Sequence, residues 1–180
     1  MTTIVAISGS LRTGSSNTAV LQAIAILAPP EVQVVLYSNL SELPHFNPDL
    51  DTETPPPAVS EFRSQLLASN GVLISSPEYA HGVPGTLKNA LDWLVRSGEL
   101  YEKPVALINA SPRSSSHAQA SLTETLTTMT ARLVPEACVT VALPNKSVDA
   151  SGICNDPEIS GILSLAITAF ARALAPVVGR

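Results

Sequence analysis

Lysine and arginine form no run anywhere in this chain. Ten of them stand against fifteen acidic residues, for a formal charge of −5. A protein that neutralises a nucleic-acid backbone needs a basic stripe, so nucleic acid is excluded as a partner. Cysteine is scarce: Cys138 and Cys154 are the only two, too far apart for a CxxC redox or zinc motif. Two unpaired thiols of a cytoplasmic protein fit this usage better than a single disulfide. His45, His81 and His117 are scattered without metal-ligand spacing, and no metal is expected. No uninterrupted apolar stretch approaches the roughly 18 residues of a membrane span. Met1-Thr2-Thr3 enters an apolar run without a basic leader, so neither a signal peptide nor a membrane association is expected.

The 180 residues suffice for one domain with a substantial core, here taken as residues 1–180. Five short apolar runs (Ile4–Ile7, Val32–Tyr37, Val72–Ile74, Val105–Ile108 and Cys138–Leu143) alternate with segments of helical period. Those helical segments lie near Ser16–Leu27, Ala58–Ser69, Pro84–Ser97, His117–Arg132 and Pro157–Leu174. The segment Ser41–Pro57, with Pro44, Pro48, Pro55, Pro56 and Pro57, reads as loop. Alternation of this kind implies βαβ units and a parallel sheet with helices on both faces.

Polarity within the runs predicts the strand order. Runs one, three and four contain no polar residue, as central strands buried on both faces require. Gln33 in run two and Thr140 in run five mark edges. The order 2-1-3-4-5 follows: a flavodoxin-like three-layer α/β sandwich with a five-stranded parallel sheet. Helix ends agree. Asp156-Pro157-Glu158 offers a cap, a first-turn proline and an acid, and Gly98 offers a stop. Leu87, Leu91, Leu94 and Val95 fall on one face of the third helix and mark its buried side.

In such a sheet, ligands bind beyond the carboxyl ends of the strands where the order reverses, here between strands one and three. The loops after Ile7, Ile74 and Ile108 are therefore the candidates. The first, Ser8-Gly9-Ser10-Leu11-Arg12-Thr13-Gly14-Ser15-Ser16-Asn17, is rich in hydroxyls and carries one guanidinium. It opens a helix whose first N–H groups lack intrahelical partners, an arrangement that favours a phosphate. Gly9 and Gly14 have the spacing of a nucleotide triphosphate loop, but Ser15 stands where that loop needs lysine. The GxGxxG dinucleotide pattern is absent too, which leaves a terminal monophosphate. The plainer alternative is that these serines only cap and turn the chain, although capping needs a single such residue.

The second loop, Ser75 to Gly85, brings Glu78, Tyr79 and His81 beside glycines that admit a flat ligand. The third, Asn109 to His117, is polar and serine-rich. A monophosphate on loop one and a planar group over loops two and three describe flavin mononucleotide (FMN).

Gly9-Ser10-Leu11-Arg12 with Ser15 and Asn17, and Pro77-Glu78-Tyr79 continued by Pro84-Gly85, Leu87-Lys88-Asn89-Ala90 and Asp92-Trp93, together resemble the NADPH-dependent FMN reductases. That family includes flavodoxin-like quinone, chromate and azo-dye reductases. The resemblance implies that Ser10, Arg12, Ser15, Ser16 and Asn17 hold the FMN phosphate. It implies that Pro77, Glu78, Tyr79, Ala80, His81 and Gly82, with Ser111 on loop three, border the ring. It further implies an NAD(P)H oxidoreductase, with NADPH or NADH as co-substrate, that passes electrons through FMN to a quinone, flavin, azo or similar small acceptor by a ping-pong mechanism. Hydride chemistry would belong to the cofactor, so no catalytic side chain is named. Members are often homodimers or homotetramers. Where many of them read Asn-x-Ser after Pro-Glu-Tyr, this chain reads Ala80-His81-Gly82, and its third loop has serines where theirs has glycines. A flavodoxin-type electron carrier and a flavin-free scaffold of the same fold remain the alternative readings, although only 4% aromatic residues is lean for a flavodoxin.

Overall fold

A computed structural model describes residues 1–111, 115–143 and 148–174. Strand β1 (Thr2–Ser8) pairs in parallel with β2 (Val32–Tyr37) on one side and β3 (Gly71–Ser75) on the other. Strand β4 (Pro104–Asn109) follows β3, again in parallel. Helices α1 (Ser16–Leu27), α2 (Pro57–Ala68), α3 (Gly85–Asp92), α4 (Ser116–Thr128), α5 (Ala150–Asn155) and α6 (Pro157–Leu174) connect and cover the sheet. The predicted order is the observed one, β2-β1-β3-β4-β5.

The far edge corrects the expectation of a single fifth strand at Cys138–Leu143. Two pieces occupy that position, β5 (Arg132–Leu133) and β6 (Val139–Thr140), so the sheet has six strands. Both pair with β4, through Pro104↔Arg132 and Ile108↔Val139 among others. Between them Pro135–Ala137 makes a turn of 3-10 helix. Proline has no N–H to give a ladder, so the strand breaks where Pro135 falls. Arg132, expected at the end of a helix, is thus in the sheet.

Period-two alternation explains how one strand feeds two cores. Ile4 and Ala6 of β1 face a cluster with Val20, Ile24, Leu163 and Phe170 from α1 and α6. Val5 and Ile7 face the opposite cluster, with Phe62, Leu91, Trp93 and Leu122. Helix α6 is 18 residues long with a mean hydropathy of 1.3, yet Ile159, Leu163, Ala166, Ile167 and Phe170 are spent on the first cluster.

Local signals act as the sequence predicts at most helix ends. Asp156 Oδ1 accepts the N–H groups of Glu158 and Ile159, both at 3.0 Å, and starts α6. Gly98 takes φ +79° and ends the turns that follow α3. Val95 departs from the expected face: Leu87, Leu91 and Leu94 are buried, but Val95 is 64% exposed. The regular helix stops at Asp92, so Val95 no longer follows its periodicity. Cys138 and Cys154 are free thiols.

Candidate functional site

The carboxyl ends of β1, β3 and β4 converge, and a buried polar network joins their loops. Ser75, last residue of β3, donates its hydroxyl to Asn17 Oδ1 at 3.0 Å, and its carbonyl accepts the N–H of Gly9 at 2.8 Å. Thr18 Oγ1 donates to Ser8 Oγ at 2.9 Å. A Cβ on Gly9 would lie 2.8 Å from Ser76 Oγ and 3.0 Å from a Leu87 methyl, so only glycine allows loops one and two to touch here.

Loop one then turns into α1. Ser15 caps the helix, its Oγ accepting the Asn17 N–H at 3.2 Å. Ser10 is buried, and its Oγ accepts the Arg12 N–H at 3.3 Å. The Arg12 guanidinium lies back over the loop and donates to the Gly14 carbonyl at 2.9 Å. A cleft of about 380 Å³ opens on Arg12, Thr13, Gly14, Ser15 and Thr18. Asp149 is on its far wall with Oδ1 occupied by the Gly152 N–H. The first turn of α1 holds no acidic residue. Hydroxyls, a guanidinium and a helix N-terminus, with no carboxylate among residues 8–18, are a donor set that fits a phosphate.

Loop two is a miniature hairpin. Tyr79 and Gly82 exchange two backbone hydrogen bonds, of 3.1 and 2.9 Å, around Ala80 and His81. Ala80 has φ +50° and His81 has φ +60°. Both are left-handed, as in the tightest hairpin turns, where Asn-Gly is the favoured pair. Tyr79 is 56% exposed, and Pro77 precedes the turn.

Glu78, expected to border a flavin ring, has its carboxylate engaged elsewhere. Oε2 accepts the Ala118 N–H of α4 at 2.9 Å, and Oε1 is 3.1 Å from His81 Nδ1. The Ala118 N–H is the main reason that the Glu78 carboxyl titrates below the ordinary carboxylate range. Its hydrogen bond to His81 and the positive field of both imidazoles add to that, against an opposing effect of desolvation. Glu78 therefore ties loop two to the start of α4.

On loop three, Asn109 Oδ1 accepts the Ser111 N–H at 3.1 Å and the Ser115 hydroxyl at 2.8 Å. Pro112, Arg113 and Ser114 lie outside the described residues. Sequence reasoning passed over Ser8, Thr18, Ser75 and Asn109. A polar residue ending an otherwise apolar strand, as Ser75 and Asn109 do, is the signal that would have found two of them.

The structure thus brings all three predicted loops to one end of the sheet. Over residues 2–145 the chain matches the NADPH-dependent FMN reductases. It belongs to that family. The chain is 36% identical over 153 residues to an NAD(P)H-dependent FMN reductase of Pseudomonas aeruginosa, covering 83% of this chain and 82% of that one. It is 37% identical over 111 residues to a quinone reductase of Escherichia coli, covering 60% and 59% respectively. Among solved structures it resembles FerB, a flavoenzyme NAD(P)H:(acceptor) oxidoreductase of Paracoccus denitrificans, with a TM-score of 0.78, 27% identity and 97% coverage of both chains. FMN as cofactor and NAD(P)H as reductant, implied by the sequence motifs, are the chemistry of this reductase family.

Proposed function

We propose that this FMN reductase seats the flavin phosphate on loop one, through Ser10, Arg12, Ser15, Ser16 and the Asn17 backbone. Its ring would lie against Pro77, Tyr79 and the Ala80-His81-Gly82 turn, with Ser111 at its edge. The observation that carries this reading is the acid-free donor set of loop one at a helix N-terminus, joined through Ser75 to the two neighbouring loops. When bound, FMN supplies the hydride-accepting ring. The protein's own groups bind, orient and exclude water, and no side chain is assigned a proton-transfer step.

Asn17 takes a different part from the other loop-one residues. Its side-chain carbonyl is committed to Ser75, so it fixes the loop's shape and offers only backbone to a phosphate.

The acceptor class in this reading is a quinone, a flavin, an azo compound or a similar flat molecule. It is supported by the quinone reductase among the relatives. NAD(P)H and acceptor would use the same open face in turn. The reading also takes residues 1–180 as one cytoplasmic domain, consistent with two free thiols. It takes the enzyme as a homodimer or homotetramer. Arg96 donates to the Asp51 carbonyl at 2.6 Å, which sets exposed Leu50 and Val95 on adjoining segments as apolar surface for a second copy.

The test is an absorption spectrum of the purified protein titrated with FMN, then anaerobic NADPH, then a quinone. Bleaching by NADPH and recovery with quinone are expected, with parallel double-reciprocal lines in steady state. Flavin that binds but is never bleached by either nicotinamide would sink the reading, and intersecting lines would remove the shared face.

A further inference from the structure

The co-substrate of this reaction is a polyanion, whereas the chain carries a net charge of −5. Local donors must therefore receive its phosphates. Near loops two and three, Lys88 is already paired with Asp92 at 2.5 Å, one helical turn along α3. Arg12 is laid over loop one.

Two imidazoles stand where loop two meets α4. The His81 and His117 rings are 4.4 Å apart, edge to face. His81 sits at the tip of the left-handed turn with a side chain 76% exposed, and His117 is exposed in the first turn of α4. Glu78 fixes the geometry. One oxygen holds His81 Nδ1 and the other is bonded to the Ala118 N–H, the residue after His117. With both oxygens engaged, that carboxylate orients the pair. Glu78, His81 and His117 are the titratable groups that act on one another at this junction.

We propose that His81 and His117 together receive a phosphate of the nicotinamide dinucleotide, with Glu78 as the positioning residue that sets the His81 ring. The proposal rests on the reading that NAD(P)H is oxidised at a flavin seated by these same loops. Imidazole N–H groups suit the task because they donate to phosphate oxygens in either charge state and more strongly when cationic. The quinone and azo acceptors of the reading are uncharged at their reacting ends and give a pair of imidazoles less to recognise. A family pattern with Asn at position 80 fills this turn without a ring at 81, so the His81–His117 pair is a device of this chain.

The experiment uses the FMN-loaded enzyme and three hydride donors: NADPH, NADH and 1-benzyl-1,4-dihydronicotinamide, which carries the same reacting ring and no phosphate. His117→Gln, His81→Gln and Glu78→Gln are each compared with wild type. The ratio of kcat/KM for a dinucleotide to kcat/KM for the benzyl donor is expected to fall about tenfold in either histidine variant. The loss should appear in KM with kcat near its wild-type value, and Glu78→Gln should shift the ratio in the same direction by less. Equal losses with NADH and NADPH place the pyrophosphate on the pair, and a loss confined to NADPH places the 2′-phosphate there. A ratio unchanged in both histidine variants overturns the proposal, as does an equal loss with all three donors. If wild type oxidises none of the three, the reductase reading fails instead.

Discussion

Arg12 and Ala80 are the residues whose chemistry is least shared with their neighbours. In the proposed site Arg12 is the guanidinium of a loop otherwise furnished with hydroxyls and amides. Arg12→Ala should weaken FMN binding by roughly 1.5–3 kcal/mol, the usual worth of a hydrogen bond to a charged group. Riboflavin, which lacks the phosphate, should bind the variant and the wild type alike. Equal losses for both flavins, followed by fluorescence quenching, would mean that Arg12 shapes the loop through its bond to Gly14 and does not hold phosphate. Ala80 presents the opposite case, a side chain that its backbone does not want. A left-handed φ costs an L-residue about 1–2 kcal/mol, and glycine escapes that at a smaller entropic cost in the unfolded chain. Ala80→Gly should therefore raise the urea midpoint, by roughly 0.5–1 kcal/mol in free energy. A fall in the midpoint would show that the turn at Ala80-His81 is not strained in solution.

At the scale of elements, α3 does more than fill the core. Asn89 and Trp93, which in the sequence read as motif and buried ring, both reach the chain at Pro44. Asn89 Nδ2 donates to the Pro44 carbonyl at 3.0 Å, and Trp93 Nε1 donates to the same oxygen at 2.8 Å. Asn89 Oδ1 also accepts the Phe46 N–H at 2.7 Å. The proline-rich segment between β2 and α2 is thus pinned by α3. Asn89→Ala leaves the Phe46 N–H without its partner and should cost roughly 1–3 kcal/mol in chemical unfolding. Loss of less than a few tenths would mean that water replaces the amide there. Glu78 joins elements in another way, loop two to α4, and its signature is in acid. Its carboxyl is held below 4.5 in the folded protein, so the contribution is complete above that pH and is lost as pH falls through the lower folded value. Glu78→Gln cannot titrate, so its stability should fall less steeply than wild type below pH 4.5. Identical acid limbs would detach the Glu78–Ala118 bond from stability.

Over the whole molecule, strand order was legible because burial writes itself into composition. Gln33 and Thr140 flagged the two edges, and the unbroken runs of β1, β3 and β4 flagged the centre. The three loops at the switch point followed from that order alone. What stayed hidden was structure too short to carry a period. Strand β5 is two residues with an arginine at an exposed position, and α5 is six residues beginning Ala-Ser-Gly, so neither shows a pattern to read. The partner of Glu78 was equally invisible, since Ala118 contributes only a backbone N–H from 40 residues away.

The break at Pro135 also bears on how the molecule meets its own copies during synthesis and storage. An open sheet edge offers a row of N–H and C=O groups on which a stray strand can grow. On the β5–β6 side that row is cut into two-residue pieces by a 3-10 turn, too short to seed such growth. Strand β2, six residues without interruption, keeps a continuous row on the opposite side. Whatever tendency this protein has to misassemble through its sheet is therefore directed to one flank, at Val32–Tyr37.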